Sequence, residues 1–511
     1  MIVLGISGAL NHDAAICVNK NSKILFASHS ERYSKIKNDP NLNAEIIQEA
    51  LSYGCPDIIA WYERPYVKKW RQLIAGQYSL AFDMKELPNR YLKTFPQLNN
   101  IPIVYESHHY THAASGYFTS SFTNAAIIVI DSIGELETLT VWKGNYNNLE
   151  KIYSQAYPDS IGLFYSAMTA RLGLKPQEDE YILMGMAAYG DITRTVGGKT
   201  IINHMYDNFG IKLNDYTNKF YKIVNFKKNL HRGCNDFLPE LTSEQDKFDI
   251  AAATQHIYTQ MLEVIIEYTR IITKCENLIL MGGCALNCSA NSSITDRFKN
   301  VWIMPNPGDA GSCIGASASL FFNKRTELHT PYLGHNIEGS YPVNRALKAL
   351  LNGEIIGIAN GRAEFGPRAL GNRTLTADPR GDTIKDRMNE IKRRQKFRPF
   401  APMILEEDVH DHFIMPENID SSPYMQFVAK CKNPLDFPAI IHEDGTSRVQ
   451  TVNKQQHPEL YTLLTKFKEK TGCPMLVNTS LNIKGQPIVN DINDSQEFSK
   501  HYGIKVFTND D

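Results

Sequence analysis

The residues of this chain that could do chemistry are a histidine pair, a few strand-end and turn aspartates, a Gly-Gly turn and a run of loop arginines. In Ser107-His108-His109-Tyr110-Thr111-His112-Ala113 the alternation of polar and small residues predicts the first turns of a helix with Ser107 at its N-cap. His108 and His112 then lie one turn apart and can meet one metal ion, while His109 points about 100° away and reads as structural. A His pair at this spacing is also common on plain surfaces and in cores, so carboxylates must complete the site. Two candidates are Asp131, ending the apolar run Ala-Ala-Ile-Ile-Val-Ile-Asp, and Asp309, in the turn Asn306-Pro307-Gly308-Asp309-Ala310-Gly311. Turn-stabilising hydrogen bonds are the alternative role for both. Imidazoles with carboxylates suit Fe(II), Mn(II) or Zn(II) and leave positions open for an oxygen ligand.

Two further segments offer anion chemistry. Met281-Gly282-Gly283-Cys284-Ala285-Leu286-Asn287 has the character of a phosphate loop, with glycines for close backbone approach and a helix expected from about Ala285, although a tight turn without a ligand reads equally well. Between Arg362 and Arg398 eleven Lys or Arg face five Asp or Glu, and many of the arginines stand in loops such as Gly366-Pro367-Arg368-Ala369-Leu370-Gly371-Asn372-Arg373. A solvated basic face would not need Gly and Pro around each guanidinium, whereas bidentate binding of oxyanions would. Asp444-Gly445-Thr446-Ser447-Arg448 and the amide- and hydroxyl-bearing turn Asn478-Thr479-Ser480 extend this anion pocket.

The elements that must position these groups follow from periodicity. Strand-like runs at Ile2–Ser7, Ala14–Asn19 and Lys23–Ser30 are separated by small polar turns, and the layout recurs at Ala125–Asp131 and Thr138–Trp142. The repeat points to an internally duplicated α/β domain, as actin-like and sugar-kinase-like folds are built. Helical spacing spans Asp249–Lys274, a buried strand follows at Leu278–Met281, and residues 324–343 read as an aperiodic linker. The boundary is placed near Glu338, giving domains 1–337 and 338–511. The second is also α/β, with strands at Glu354–Ala359 and Pro474–Val477 and helices around Asp382–Lys396 and Pro458–Lys470.

Composition narrows the class. A chain of 511 residues exceeds one ordinary core. A net charge of −1 provides no global field for nucleic acid or an anionic membrane. Nine scattered cysteines fit neither a disulfide framework nor a zinc ribbon. No apolar run approaches the ~20 residues that span a bilayer, so a soluble, unexported, cytoplasmic protein is expected.

Taken in order, these motifs resemble the O-carbamoyltransferases that decorate antibiotics and nodulation factors. The resemblance rests on Gly5-Ile6-Ser7 with His12-Asp13-Ala14-Ala15, Ser30-Glu31-Arg32 with Lys37, His108-His109 with His112, and Gly282-Gly283 with Ala285-Leu286-Asn287. Further along it rests on Gly361-Arg362 through Arg373, Phe397-Arg398-Pro399-Phe400-Ala401-Pro402, Asp444-Gly445-Thr446 with Arg448, and Asn478-Thr479-Ser480. It implies an actin-like (ASKHA) N-terminal domain joined to a YrdC-like α/β domain similar to threonylcarbamoyl-adenylate synthases. It implies metal ligands His108, His112, Asp131 and Asp309, with iron as the expected ion. Arg368, Lys392, Arg398, Arg448 and Asn478 would hold carbamoyl phosphate. Gly282, Gly283, Asn287, Thr479 and Ser480 complete the expected cofactor contacts, and His12, Lys37 and Asp131 are the candidate catalytic groups.

Two positions depart from the family pattern: Ser132 replaces the usual Gly after the strand-end Asp, and Ile182 replaces a usual Lys, so altered nucleotide contacts are expected there. The chemistry implied is ATP- and Mg²⁺-dependent adenylation of the donor followed by transfer to a hydroxyl, which needs an activated carbonyl and a base. Candidate acceptors are a sugar or antibiotic hydroxyl and the hydroxymethyl group of 5-hydroxymethylcytosine in DNA. A tRNA threonylcarbamoyl-modifying enzyme is the rival reading. The mixtures of aromatic and basic residues at Trp61–Arg71 and Tyr216–Arg232 carry the DNA reading, with a solvated helical face as the alternative. A homodimer is a further candidate assembly.

Overall fold

The computed structural model describes residues 1–10, 12–214, 222–321, 324–326 and 328–510. The chain opens with the predicted meander, Ile2–Ser7 (β1), Ala15–Lys20 (β2) and Lys23–His29 (β3), and continues with Ile58–Trp61 (β4) and Ile103–Tyr105 (β5). These five form a sheet in the order β3-β2-β1-β4-β5, antiparallel through the meander and parallel from β1 to β5. Between β4 and β5 lie the helices Pro65–Ile74 (α1) and Tyr78–Phe82 (α2); after β5 comes His108–Thr119 (α3).

The same plan then repeats. Asn124–Gly134 (β6), Glu137–Asn145 (β7), Asn148–Ala156 (β8), Asn277–Met281 (β9) and Asn300–Trp302 (β10) form a second sheet in the order β10-β9-β6-β7-β8. Its antiparallel meander and parallel extension match the first sheet strand for strand. The duplicated actin-like arrangement is therefore present. Between β8 and β9 run Ile161–Arg171 (α4), Glu180–Met186 (α5) and the thirty-residue Glu244–Thr273 (α6), which opens on a Ser243/Asp246 capping box; Ser312–Ala318 (α7) follows β10.

The helix that follows each sheet, α3 and α7, packs against the other, and glycine permits their close approach. A Cβ on Gly315 would lie 1.9 Å from the Thr111 carbonyl oxygen, and Ser115 Oγ accepts from the Gly315 N–H at 2.8 Å. His112 and Asp309 are thereby carried to the same place from positions almost 200 residues apart.

The C-terminal α/β unit is a six-stranded sheet of Ile356–Ala359 (β11), Arg373–Thr376 (β12), Ala401–Leu405 (β13), Gln450–Val452 (β14), Met475–Ser480 (β15) and Val506–Phe507 (β16), ordered β14-β13-β15-β12-β11-β16. Residues 324–343, read as an aperiodic linker, contain the strand Tyr332–Ile337, which pairs antiparallel with Gly361–Glu364. The helix read over Asp382–Lys396 is shorter, Ile384–Ile391, because Arg393 turns to φ 51° and releases the following basic residues into a loop. The N- and C-terminal units touch directly. Tyr189 Oη donates to the Phe397 carbonyl at 2.9 Å, Asn291 Nδ2 to Gln426 at 3.1 Å, and Arg32 Nη2 to Gly366 at 3.2 Å.

Candidate active site

Four side chains converge between the two sheets. His108 and His112 project from α3, Asp131 from β6, and Asp309 from the turn before α7; their ligand atoms all lie within 4.8 Å of one another. His108 Nε2 is 3.2 Å from His112 Nε2, and the carboxylate oxygens of Asp131 and Asp309 lie 3.1–3.4 Å from these nitrogens. Asp131 reaches inward because the register with β7 breaks between Ile130 and Gly134, releasing it from the regular ladder. Ser107 occupies the N-cap position of α3 but its side chain makes no cap bond. The buried Glu135 carboxylate takes that place, accepting from the His108 N–H at 3.3 Å and from Arg64 Nη2 at 2.6 Å.

The donor set fits a divalent cation. His112 Nδ1 lies 3.1 Å from the Pro307 carbonyl; a proton there leaves Nε2 as the lone pair facing the cluster. Two ring nitrogens and two carboxylates buried at these separations repel unless a proton or a cation lies among them. Burial lowers the proton affinity of the His108 imidazole, but Asp309 and Asp131 outweigh it and hold that group well above the ordinary histidine range. Burial raises Asp131, and His108 with His112 outweighs it, leaving the carboxyl well below its ordinary range. His109, pointing away, is driven well below the histidine range by burial and by His108, and its Nδ1 lies 3.0 Å from Thr140 Oγ1.

Gly282 and Gly283 close over this cluster. Gly282, at φ 90°, donates to the Pro307 carbonyl, and a Cβ there would sit 2.1 Å from the Ile130 carbonyl. The expected helix from Ala285 is instead a 3-10 turn, Gly283–Leu286, followed by the short helix Cys288–Ser292. Asn287 spends its amide on Gln255 and on capping Ala290 N–H. Ile182 is a core residue of α5, and the Ser132 N–H donates to Asp131 Oδ1 at 3.0 Å.

Of the other candidate catalytic groups, Lys37 is paired with both oxygens of Glu31, at 2.7 and 3.0 Å. His12 lies in the turn after β1, its buried Nε2 without a hydrogen-bond partner among the described residues. Beside it Asp13 accepts from His29 at 2.9 Å; burial raises this carboxyl, His29 outweighs the burial, and the balance lies at about 2.

The arginine loops meet in a second cluster. Arg368, Arg394, Arg398 and Arg448 lie within reach of one another's charge: burial first, then Arg448 and Arg398, bring Arg368 down to about 9, and burial with Arg398 takes Arg394 well below its ordinary value. None of the four forms a salt bridge among the described residues, and the buried Arg448 Nε has no partner there. Lys392 lies alongside, its ammonium donating to Ser480 O at 2.6 Å and Asn482 Oδ1 at 2.5 Å; burial, then Arg394 and Arg398, hold it well below the lysine range. The N-terminal unit supplies a lid: Tyr181 of α5 stacks on the Arg398 guanidinium at 4.8 Å.

Asn478 does not present its amide to this cavity. It donates to Ala369 O and Gln450 Oε1 and accepts from Thr374, tying the arginine loop to the sheet. Thr479 is a half-buried strand residue paired with Leu375, and Ser480 acts on Lys392. Sequence reasoning did not single out Arg394 or Glu135, and it took in Glu364 and Tyr181 only as members of the Gly361–Arg373 and Glu180–Gly185 motifs, without a role of their own. Arg394 lay inside the basic run already noted. Glu364 is buried and collects the N–H groups of Leu370, Asn372 and Arg373 on one oxygen, which shapes the loop that carries Arg368.

Comparison with known proteins adds the following. Residues 2–318 match the family model described as carbamoyltransferase N-terminus and residues 347–511 match carbamoyltransferase C-terminus. Similar relatives include an uncharacterized protein of Synechocystis, 32% identical over 95% of this chain and 92% of its own length. Nodulation protein NolNO of Sinorhizobium fredii is 29% identical over 97% and 80%. The 3'-hydroxymethylcephem-O-carbamoyltransferase of Amycolatopsis lactamdurans is 25% identical over 96% and 95%. Among solved structures, full-length HypF in its phosphate- and nucleotide-bound form aligns with a TM-score of 0.35 and 12% identity, covering 64% of this chain and 56% of that one.

Proposed function

The chain belongs to the carbamoyltransferase family, and we propose that it activates the carbamoyl group with ATP in the C-terminal arginine pocket and delivers it to an acceptor hydroxyl at the His/Asp cluster. What carries this reading is the presence, in one chain, of a buried four-ligand cluster and a separate group of buried cationic side chains, of which the four arginines form no salt bridge among the described residues.

Water first releases phosphate from carbamoyl phosphate, leaving carbamate. A carbamate oxygen attacks the α-phosphorus of Mg²⁺-ATP and pyrophosphate departs, giving carbamoyl-adenylate. The acceptor hydroxyl then attacks the carbonyl carbon, loses its proton, and expels AMP. Arg368, Arg394, Arg398 and Arg448 would bind and orient the phosphates, and Lys392, steered by Ser480 and Asn482, would add a point charge. His108, His112, Asp131 and Asp309 would hold a divalent ion, for which iron is our choice, and when bound it would supply Lewis-acid polarisation of an oxygen ligand. His12, whose Nε2 is unspent, is our candidate for the acceptor proton, and Lys37 would steady that turn through Glu31.

We propose a small-molecule hydroxyl as acceptor. Hydroxymethylcytosine in DNA loses one support: within Trp61–Arg71, Trp61, Lys68 and Lys69 are buried, and both lysines are paired with glutamates. In the second stretch, Tyr216–Tyr221 lies outside the described residues.

The test separates the half-reactions. Enzyme, ATP, carbamoyl phosphate and acceptor should yield AMP, pyrophosphate and a product heavier by one carbamoyl group. His108→Ala should retain pyrophosphate release yet lose transfer, and Arg448→Ala should lose both. ADP as the sole nucleotide product, or both variants stopping at the same step, would overturn the scheme.

A further inference from the structure

Helix α1 is inside out. Beyond Pro65 at its first position, the residues it buries are polar: Lys68, Lys69 and Gln72, with Lys68 Nζ 2.7 Å from Glu63 and Lys69 Nζ donating to Leu80 O at 2.6 Å and Glu86 at 3.1 Å. Outward it presents Tyr66, Trp70 and Ile74, at i, i+4 and i+8, all more than half exposed, and α2 extends the stripe with Tyr78 and Phe82. With Leu80 and Met84, this short stretch holds seven of the eighteen exposed large apolar side chains among the described residues. Single exposed apolar residues are ordinary; a contiguous set backed by an inward-facing polar surface marks a docking face.

We propose that this face is the interface between two copies of the chain. An aromatic side chain offers about 150–250 Å², so five side chains near two-thirds exposed, with two more near two-fifths, present on the order of the ~800 Å² per partner that a stable dimer buries. The stripe is also self-complementary. If a two-fold axis passes beside Trp70, the central residue meets its own copy while Tyr66 faces Ile74 across an antiparallel helix pair. The cations of α1 argue against an anionic occupant. Lys68 and Lys69 are spent internally and Arg71 Nη1 donates to Gln77 at 2.8 Å, so α1 itself lacks the outward basic rim with which helices bind nucleic acid or acidic lipid.

Sedimentation velocity of the full chain from about 1 to about 100 µM should show a reversible dimer. Trp70→Asp should weaken it at least about thirty-fold, with melting temperature and circular dichroism unchanged. In a Cys55→Ser background, which removes the exposed native thiol, Trp70→Cys should form a disulfide-linked dimer when copper–phenanthroline oxidises the paired thiols. The still more exposed Tyr146→Cys should not. A monomer throughout that range, a dimer indifferent to Trp70→Asp, or a monomer that floats with phosphatidylcholine–phosphatidylglycerol vesicles would each overturn the proposal.

Discussion

Lys392 shows how a single side chain tunes the cationic cavity. Burial and two neighbouring guanidiniums hold its proton affinity well below the lysine range, so the side chain keeps that proton less firmly than a free lysine would. An oxyanion arriving beside it favours the charged form and raises the folded-state pKa. Binding of pyrophosphate should therefore take up protons and weaken as pH rises through that depressed value. Calorimetry in buffers of differing ionisation enthalpy reads the uptake, and Lys392→Met should abolish it. Glu364 acts one step removed from the ligand, since its oxygen gathers three N–H groups of the Arg368 loop. Glu364→Gln should raise KM for carbamoyl phosphate about tenfold, equivalent to roughly 1–2 kcal/mol of lost hydrogen bonding, with metal content unchanged. At this scale the sequence was legible where spacing or loop rigidity marks groups that the fold then brings together, as with His108 and His112 or Arg368. It was illegible at Glu135, and at Glu364 the motif was visible but not its role, because both roles arise only when backbone N–H groups fold around the carboxylate. Asn478 and Asn287 were read as ligand contacts, yet their amides are consumed within the protein.

Elements bring these residues together through a few close approaches. The α3/α7 crossing is set by Gly315, where a Cβ would collide with the Thr111 carbonyl on the turn that carries His112. Gly315→Ala should cost about 1–3 kcal/mol by overpacking, lower the unfolding midpoint, and reduce divalent-ion binding measured by calorimetry; unchanged ion affinity would show that the crossing does not set the cluster. Strands and the long α6 were readable from periodicity because their buried faces follow the expected order. The strand Tyr332–Ile337 was missed because Gly334, His335 and Asn336 break any alternation, and its partner lies beyond the next helix. The shortened helix at Ile384–Ile391 was missed because basic residues favour helix, and nothing local shows that Arg393 leaves it. Inverted α1 displays a clear helical period, but period alone does not say which side faces water.

On the scale of the whole molecule, the cationic cluster draws on both units, since Tyr181 of the N-terminal unit stacks on Arg398 of the C-terminal one. A nucleotide analogue bound among the arginines should therefore slow amide exchange in residues 180–189, measured by hydrogen–deuterium exchange; unchanged rates there would place the ligand away from the lid. The duplicated layout was legible from two strand-turn-strand repeats, whereas the way the arginine cavity is shared was not, because no local pattern in Glu180–Gly185 announces a stacking partner more than two hundred residues away. The duplication also means that the two imidazoles come from a helix following the first sheet, and both carboxylates from segments of the second. An ion gripped by all four is then a cross-brace between the twin halves. By reciprocity, any acceptor that fits only a splayed cleft must loosen the brace, and one that fits only the shut form must tighten it.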